Sequence, residues 1–149
     1  MKNLKLTALT LGIILIGSNA FANGVGYINY QKVQNDYPLA QSAIKEIDNK
    51  GLELQQYMVD KEKQYKALST PVQKQNFEEA TARELKTKED ALIKLRAEKE
   101  ELIYNKIQAA AKQVLVEQKL DAIVDYRVIF VGGVDISDLV IQKLKSGQI

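Results

Sequence analysis

The most regular pattern in the chain begins at Tyr37 and runs to Leu68, where the sequence reads YPLAQSAIKEIDNKGLELQQYMVDKEKQYKAL. Apolar residues recur here at alternating intervals of three and four, the heptad spacing of a helix that packs along a second helix. Pro38 suits the first turn of such a helix, because the N–H that proline lacks has no helical partner there. Gly51 and Lys61 are the weak positions of this stripe. The predicted stripe contains Ile44, Ile47, Leu54, Met58, Tyr65 and Leu68.

A second long helix is predicted after a break at Thr70–Pro71. A residue before proline is disfavoured in helical geometry, and the hydroxyl of Ser69 or Thr70 can cap the helix that follows. Residues 71–119 then contain no further proline and no glycine, and the stripe continues with Leu85, Leu92, Leu95 and Leu102. Because two long helices joined by a short turn run antiparallel, residues 37–119 are predicted to form a helical hairpin with its tip near residues 69–71.

Short β-rich segments flank this hairpin. Residues 25–30 are rich in β-formers and are predicted as a strand, and residues 120–131 are predicted as two strands with a bend near Tyr126–Arg127. Gly132–Gly133 ends the second of these strands, and Asp135 is predicted to cap a final short helix. The apolar face of that helix contains Ile136, Leu139, Val140 and Leu144.

An antiparallel hairpin brings the two ends of the chain together, so the three predicted strands can share one sheet. The predicted fold class is α+β, mainly α by residue count. It has a small β-rich body from residues 23–36 and 120–149, and one long coiled-coil arm from residues 37–119. A body of this size buries little apolar surface, and the chain has no disulfide or His/Cys metal site to stabilise it. Oligomerisation is therefore predicted through Val25, Tyr27, Ile28, Ile123, Val124, Ile129 and Val131.

The first 22 residues have the pattern of a secretory signal peptide. Lys2 and Lys5 precede an apolar run from Leu6 to Ile16, and Ala20–Phe21–Ala22 forms a small-x-small cleavage site. The alternative is a membrane anchor, but the run is shorter than the roughly 20 residues that cross a bilayer. We predict cleavage after Ala22, export, and one mature domain over residues 23–149. Cleavage lowers the number of basic residues from 21 to 19, which equals the 19 acidic residues. The mature chain therefore lacks the surplus of basic residues that is typical of a nucleic-acid-binding protein.

The composition excludes most catalytic chemistry. The chain has no Cys and no His, which removes thiolate nucleophiles, imidazole bases and the usual zinc ligands. Paired carboxylates such as Glu78/Glu79 lie among Lys and Arg in the second helix, and we interpret them as a solvated helix face. We therefore predict no enzymatic activity, no cofactor and no metal.

Several apolar residues of the arm lie off the predicted stripe. On a plain two-helix arm they are exposed and suit weak, dispersed contacts with a nonspecific ligand; packing against the partner helix or the body is the alternative, above all for Ile103. These candidate client-binding residues are Leu52, Tyr57, Val59, Phe77, Ile93 and Ile103.

Two motifs at the ends of the mature chain carry a family resemblance. Residues 26–33, GYINYQKV, resemble the opening strand and turn of the Skp/OmpH family of periplasmic chaperones. Residues 120–125, LDAIVD, with VIFV at 128–131 and VDISDLV at 134–140, resemble the strand pair and helix start of that family. The charged hairpin between them shares the family's pattern, so the resemblance covers essentially the whole mature chain.

The resemblance implies a homotrimer in which three bodies form a barrel-like hub and three arms surround a cavity. It implies an ATP-independent holdase that keeps unfolded outer-membrane proteins soluble in the periplasm, with the outer-membrane assembly machinery as a further partner. The best-known members have strongly basic arms, whereas residues 41–118 here contain 14 basic and 14 acidic residues. Contact with lipopolysaccharide or membrane is therefore left open. The alternative function is that of an exported structural or adaptor coiled coil that binds one folded envelope partner.

Overall fold

The computed structural model describes residues 24–147, and the predicted signal peptide and its cleavage site lie outside them. The elements in chain order are β1 (Val25–Ile28), α1 (Tyr30–Asp36), α2 (Pro38–Lys66), α3 (Pro71–Glu117), β2 (Ala122–Asp125), β3 (Val134–Asp135) and α4 (Ser137–Ser146), with a turn of 3-10 helix at Tyr126–Val128 between β2 and β3. The described chain is mainly helical with one small sheet, which confirms the predicted α+β class. None of the helices in residues 24–147 has the length and apolarity that crossing a membrane requires.

The predicted helical hairpin is confirmed, and α2 and α3 are its two helices. Pro38 stands in the first turn of α2. Thr70 caps α3 in a reciprocal arrangement: the Gln73 N–H donates to Thr70 Oγ1 over 3.3 Å, and the Thr70 N–H donates to Gln73 Oε1 over 3.2 Å. At 1.5 Å per residue α2 is about 44 Å long and α3 about 70 Å. The excess length of α3 carries its C-terminal third into the body.

The sheet has the strand order β2-β1-β3, and both outer strands run parallel to β1. Val25 pairs with Ala122, Ile28 with Asp125, and Gly26 with Val134. The first strand therefore lies in the centre, between two strands from the other end of the chain. The prediction that the three strands share one sheet is correct.

The second predicted late strand is misplaced. Residues 129–131 are not a strand, and β3 lies beyond the glycines, at Val134–Asp135. Parallel pairing is the reason, because two strands that both run parallel to β1 cannot be joined by a tight hairpin. Asp125 instead accepts the Arg127 N–H over 2.9 Å and binds its guanidinium over 2.7 and 3.0 Å, which turns the chain out of the sheet.

Strand β1 is shorter than predicted, because residues 30–36 form the helix α1. Asn29 ends the strand and caps this helix, with its Oδ1 accepting the Lys32 N–H over 3.0 Å. The helix places Val33 in the core, fully buried. Residues 30–36 are thus a helical part of the body, which β-propensity had not indicated.

The core lies where α1, the start of α2, the end of α3 and α4 meet. Ser137 is buried at the centre of a hydrogen-bond chain: its N–H and hydroxyl both donate to Asp135 Oδ1, over 2.9 and 2.6 Å, and its Oγ accepts the Asn29 N–H over 2.9 Å. Asp135 thus stabilises the start of α4, as predicted, although Ile136 occupies the N-cap position. The buried apolar residues are Val33, Tyr37, Ala40, Ala43, Ile103, Ile107, Ala110, Ala111, Val114, Ile136, Val140, Ile141 and Leu144.

Gly51 weakens the arm without a steric reason, since a Cβ placed on it meets no atom within 4 Å. Gly51→Ala is expected to stabilise the protein by about 0.5–1 kcal/mol, because glycine inside a helix costs conformational entropy. Urea unfolding at one fixed protein concentration measures the change.

Gly133→Ala is the matched control, and the expected change in stability has the opposite sign. Gly133 has a φ of +86°, and its Cβ would lie 3.2 Å from the Val25 carbonyl oxygen. This variant is expected to lose about 1 kcal/mol or more in the same measurement. A destabilised Gly51→Ala would show that the open space beside residue 51 is not available to a side chain.

Candidate functional site

The contact between α2 and α3 follows a register that differs locally from the predicted stripe. Ile47, Leu54 and Tyr65 of α2 are half-buried, as are Leu68 in the turn and Leu85, Leu92 and Leu95 of α3. Three predicted members, Ile44, Met58 and Leu102, are exposed instead, while Ala43, Tyr57 and Ile103 beside them turn inward. A straight helix drifts about 20° per heptad against a strict seven-residue repeat, so over a long helix the buried line moves to a neighbouring residue.

At Lys61 the contact between α2 and α3 is polar and not apolar. Glu84 of α3 accepts the Tyr57 hydroxyl over 2.5 Å and the Lys61 ammonium over 2.9 Å. Hydrogen bonds from Tyr57 and then Lys61 hold the pKa of Glu84 below its ordinary value, and the bond to Glu84 raises the pKa of Lys61. One carboxylate thus joins two side chains of α2 to α3.

Aromatic rings pack between the helices near the tip. The Tyr65 and Phe77 rings lie 6.3 Å apart, and Lys61 Nζ lies 5.4 Å from the centre of the Phe77 ring and 5.1 Å from that of Tyr57. These cation–π contacts add to the polar contact at Glu84. Tyr57 and Phe77, predicted as client contacts off the stripe, are therefore half-buried and form part of the helix–helix contact.

The remaining candidate client-binding residues divide by exposure. Ile103 is only 2% exposed and belongs to the core, so its assignment as a client contact is wrong. Leu52, Val59 and Ile93 are exposed. Leu52 and Val59 lie on a face made by α2 alone, with Asn49, Glu53, Gln55 and Gln56.

Two apolar grooves lie along the hairpin. The distal groove, of about 470 Å³, lies near the tip and is lined by Tyr57, Met58, Lys61, Glu62, Tyr65, Phe77, Glu78, Thr81, Ala82 and Leu85. The body groove, of about 380 Å³, lies between α3 and the sheet and is lined by Ile28, Tyr30, Tyr104, Ile107, Gln108, Ala111, Lys112, Leu115, Ile123, Val124 and Asp125. Residues 24–147 hold no cluster of carboxylates that could bind a metal ion.

The body exposes an apolar loop, residues 128–134, whose sequence VIFVGGV has no polar side chain. Phe130 is fully exposed, and Val128, Val131 and Val134 are exposed as well. Of the predicted oligomerisation residues, Val25 and Val131 are exposed, and Tyr27, Ile28, Ile123, Val124 and Ile129 are half-buried. Phe130, Val128 and Val134 were absent from that prediction, although the uncharged run of seven residues was visible in the sequence.

A family model described as Outer membrane protein (OmpH-like) matches residues 24–144. The match includes the arm and both parts of the body. A search of curated proteins found no match.

The Glu84 contact leads to a prediction about acid stability. The pKa of Glu84 in the folded state lies below the ordinary value of 4.5. The ionised carboxylate therefore stabilises the fold above pH 4.5, and this stabilisation is lost as the pH falls through the folded-state pKa. Glu84→Gln is therefore expected to lower stability at neutral pH and to make stability less dependent on pH below 4.5. Urea unfolding at a series of pH values measures both effects.

Glu101→Gln is the control for this prediction. Glu101 lies on the same helix, is exposed, and forms no side-chain hydrogen bond or ion pair in the part of the chain that the structure describes. An equal response of both variants to pH would contradict the role assigned to Glu84.

Proposed function

Because the chain belongs to the OmpH-like family, we propose that it is an ATP-independent holdase chaperone of the periplasm. It binds unfolded outer-membrane proteins and keeps them soluble before their insertion into the membrane. The family as a whole is one of periplasmic chaperones connected with outer-membrane proteins. The finer activity proposed for this chain is supported by its arm.

The observation that carries the proposal is a long arm with exposed apolar residues on its sides. Leu52, Met58, Val59 and Ile93 are exposed on the two helices, far from the core. Many weak contacts of this kind hold a ligand by avidity and impose no single pose. An unfolded client then keeps much of its chain entropy, which makes binding reversible without an energy source.

The net charge of the arm favours binding of the client by apolar contacts over binding by electrostatic attraction. Residues 41–118 are formally neutral, and interactions between exposed charges are largely screened beyond about 8 Å at physiological salt. The distal part, residues 57–88, has seven basic and five acidic residues, and the rest of the arm has the opposite excess. Neither part has the strong basic surplus found in the best-known members.

A homotrimer formed through the body is part of the proposal. The loop 128–134 exposes Phe130 and three valines that no other part of the described chain covers. An exposed apolar patch of this kind marks an interaction site or an aggregation hazard. A second and third copy of the body cover it permanently, and the three arms then surround a common space.

The activity is tested by diluting a urea-unfolded outer-membrane β-barrel protein into buffer with the mature chain. We expect the barrel protein to remain in the supernatant at both low and high salt, because apolar contacts are not weakened by screening. Light scattering and sedimentation measure the effect. Aggregation as rapid as without the chain would overturn the holdase and favour the adaptor function, in which one folded envelope partner is bound.

The oligomer is tested with the double variant Phe130→Ser and Val131→Ser. Both side chains are exposed in one chain, so the substitution removes intermolecular contacts while the monomer core stays intact. We expect the mass in solution to fall from that of a trimer to that of a monomer, measured by sedimentation equilibrium. Val72→Ser, at an exposed position near the tip, is the control and should leave the mass unchanged.

A further inference from the structure

One flank of α3 carries apolar side chains at intervals of eleven residues. Ala82, Ile93, Tyr104 and Leu115 follow one another at this spacing. Eleven residues make very nearly three helical turns, so the four side chains stand almost in line along the helix. Neighbouring members are about 16 Å apart, and the line is about 50 Å long.

This line connects the two grooves of the hairpin. Ala82 lies in the wall of the distal groove, and Tyr104 and Leu115 lie in the wall of the body groove. Ile93 stands between them and is 67% exposed. Met58 of α2 completes the wall opposite Ala82. These five residues are named here the apolar track.

Two of the three charged residues at the distal end of the track form ion pairs within the arm. Lys61 binds Glu84 over 2.9 Å, and Glu62 binds Lys66 over 2.5 Å. Glu78 has no ion pair among the described residues, and its hydrogen bond with the Tyr65 hydroxyl raises the pKa of Tyr65. The remaining walls are aromatic, aliphatic and thioether groups and the hydroxyl of Thr81, with Met58 able to adapt its shape. The groove is therefore complementary mainly to an uncharged side chain, and Glu78 is the one charge in its lining without an opposite charge bound to it in the described part of the chain.

The distal groove lies far from the body along the arm. Tyr57 lies 19 residues beyond Pro38 along α2, or about 28 Å from the start of the helix. The exposed loop 128–134 belongs to the body, at the other end of the hairpin. Contacts between bodies therefore leave the distal groove and Ile93 open to a different molecule.

We propose that the apolar track is the surface on which the arm binds its client, and that its occupant is an extended, uncharged segment of an unfolded outer-membrane β-barrel protein. Such segments alternate apolar and polar residues and carry aromatic residues near their ends. The inference rests on the proposed holdase function and assigns the contact to one flank. It also separates Ile93 from Leu52 and Val59, which lie on a different face of the hairpin, among amides and Glu53.

Two pairs of positions test the assignment. Met58 and Val59 are adjacent and 45% and 40% exposed, and Ile93 and Leu52 are 67% and 62% exposed. In each pair the first residue lies on the track and the second does not. Because the chain has no Cys and no Trp, a single substitution to Cys carries one bimane label, and any tryptophan that quenches it belongs to the client. Quenching by the chain's own tyrosines is already present in the labelled chain alone, which serves as the reference.

The experiment uses four full-length mature variants, Met58→Cys, Val59→Cys, Ile93→Cys and Leu52→Cys, each labelled with bimane. A urea-unfolded barrel protein that contains tryptophan is diluted into each. We expect several-fold stronger contact quenching at residues 58 and 93 than at residues 59 and 52. Circular dichroism and solution mass are measured for each labelled variant, and only variants that match the unlabelled chain are compared.

The solubility of the client is measured in the same samples, so that the holdase function and the apolar track are tested separately. A soluble client with equal quenching at all four positions, stronger quenching at 59 and 52, or no quenching at any position would overturn the track and leave the holdase intact. A client that aggregates in the presence of the unlabelled chain would overturn the holdase function. It would also overturn the apolar track as a client-binding surface, because that assignment rests on the holdase function.

Discussion

The central position of β1 in the sheet is the constraint on which the rest of the structure depends. This strand comes from the start of the described chain, and both of its partners, β2 and β3, come from the end. The chain of some ninety residues between β1 and β2 must therefore leave the body and return to it. An antiparallel pair of helices does this with one short turn, because the direction of α3 reverses that of α2. The arm is thus the connection that the sheet requires, lengthened far beyond what closure alone needs.

Parallel pairing on both sides of β1 also shapes the surface of the body. Since β2 and β3 run in the same direction, the chain between them has to cross back, and it does so through Tyr126–Val128 and the two glycines with positive φ. Residues 128–131 are excluded from the sheet by this return, and Val128, Phe130 and Val131 remain exposed. A predicted strand thereby becomes an apolar surface loop, which is the surface through which we propose that the bodies associate.

The long periodic segments could be predicted, and the short ones could not. Helix boundaries at Pro38 and Thr70 follow from local chemistry, namely the absent N–H of proline and a hydroxyl that caps the next turn. The helix α1 depends on Asn29, which is held in place by the buried Ser137 of α4, a hundred residues away. The exposure of the apolar residues of the arm depends on distant contacts in a similar way. Whether Tyr57 or Met58 turns inward depends on the drift of the helix and on Glu84 of α3, and neither is visible in a stripe traced along α2 alone.

The sequence by itself determined the α+β class, the hairpin with its turn, the meeting of the two chain ends and the family, because spacing, capping residues and end motifs are local properties. Only the tertiary structure decided which side of the arm is apolar and open. Leu52, Val59 and Ile93 are equivalent as isolated apolar residues in the sequence. They become different when α2 and α3 pack, since packing places Ile93 on a flank between two grooves and leaves Leu52 and Val59 on a face made by one helix.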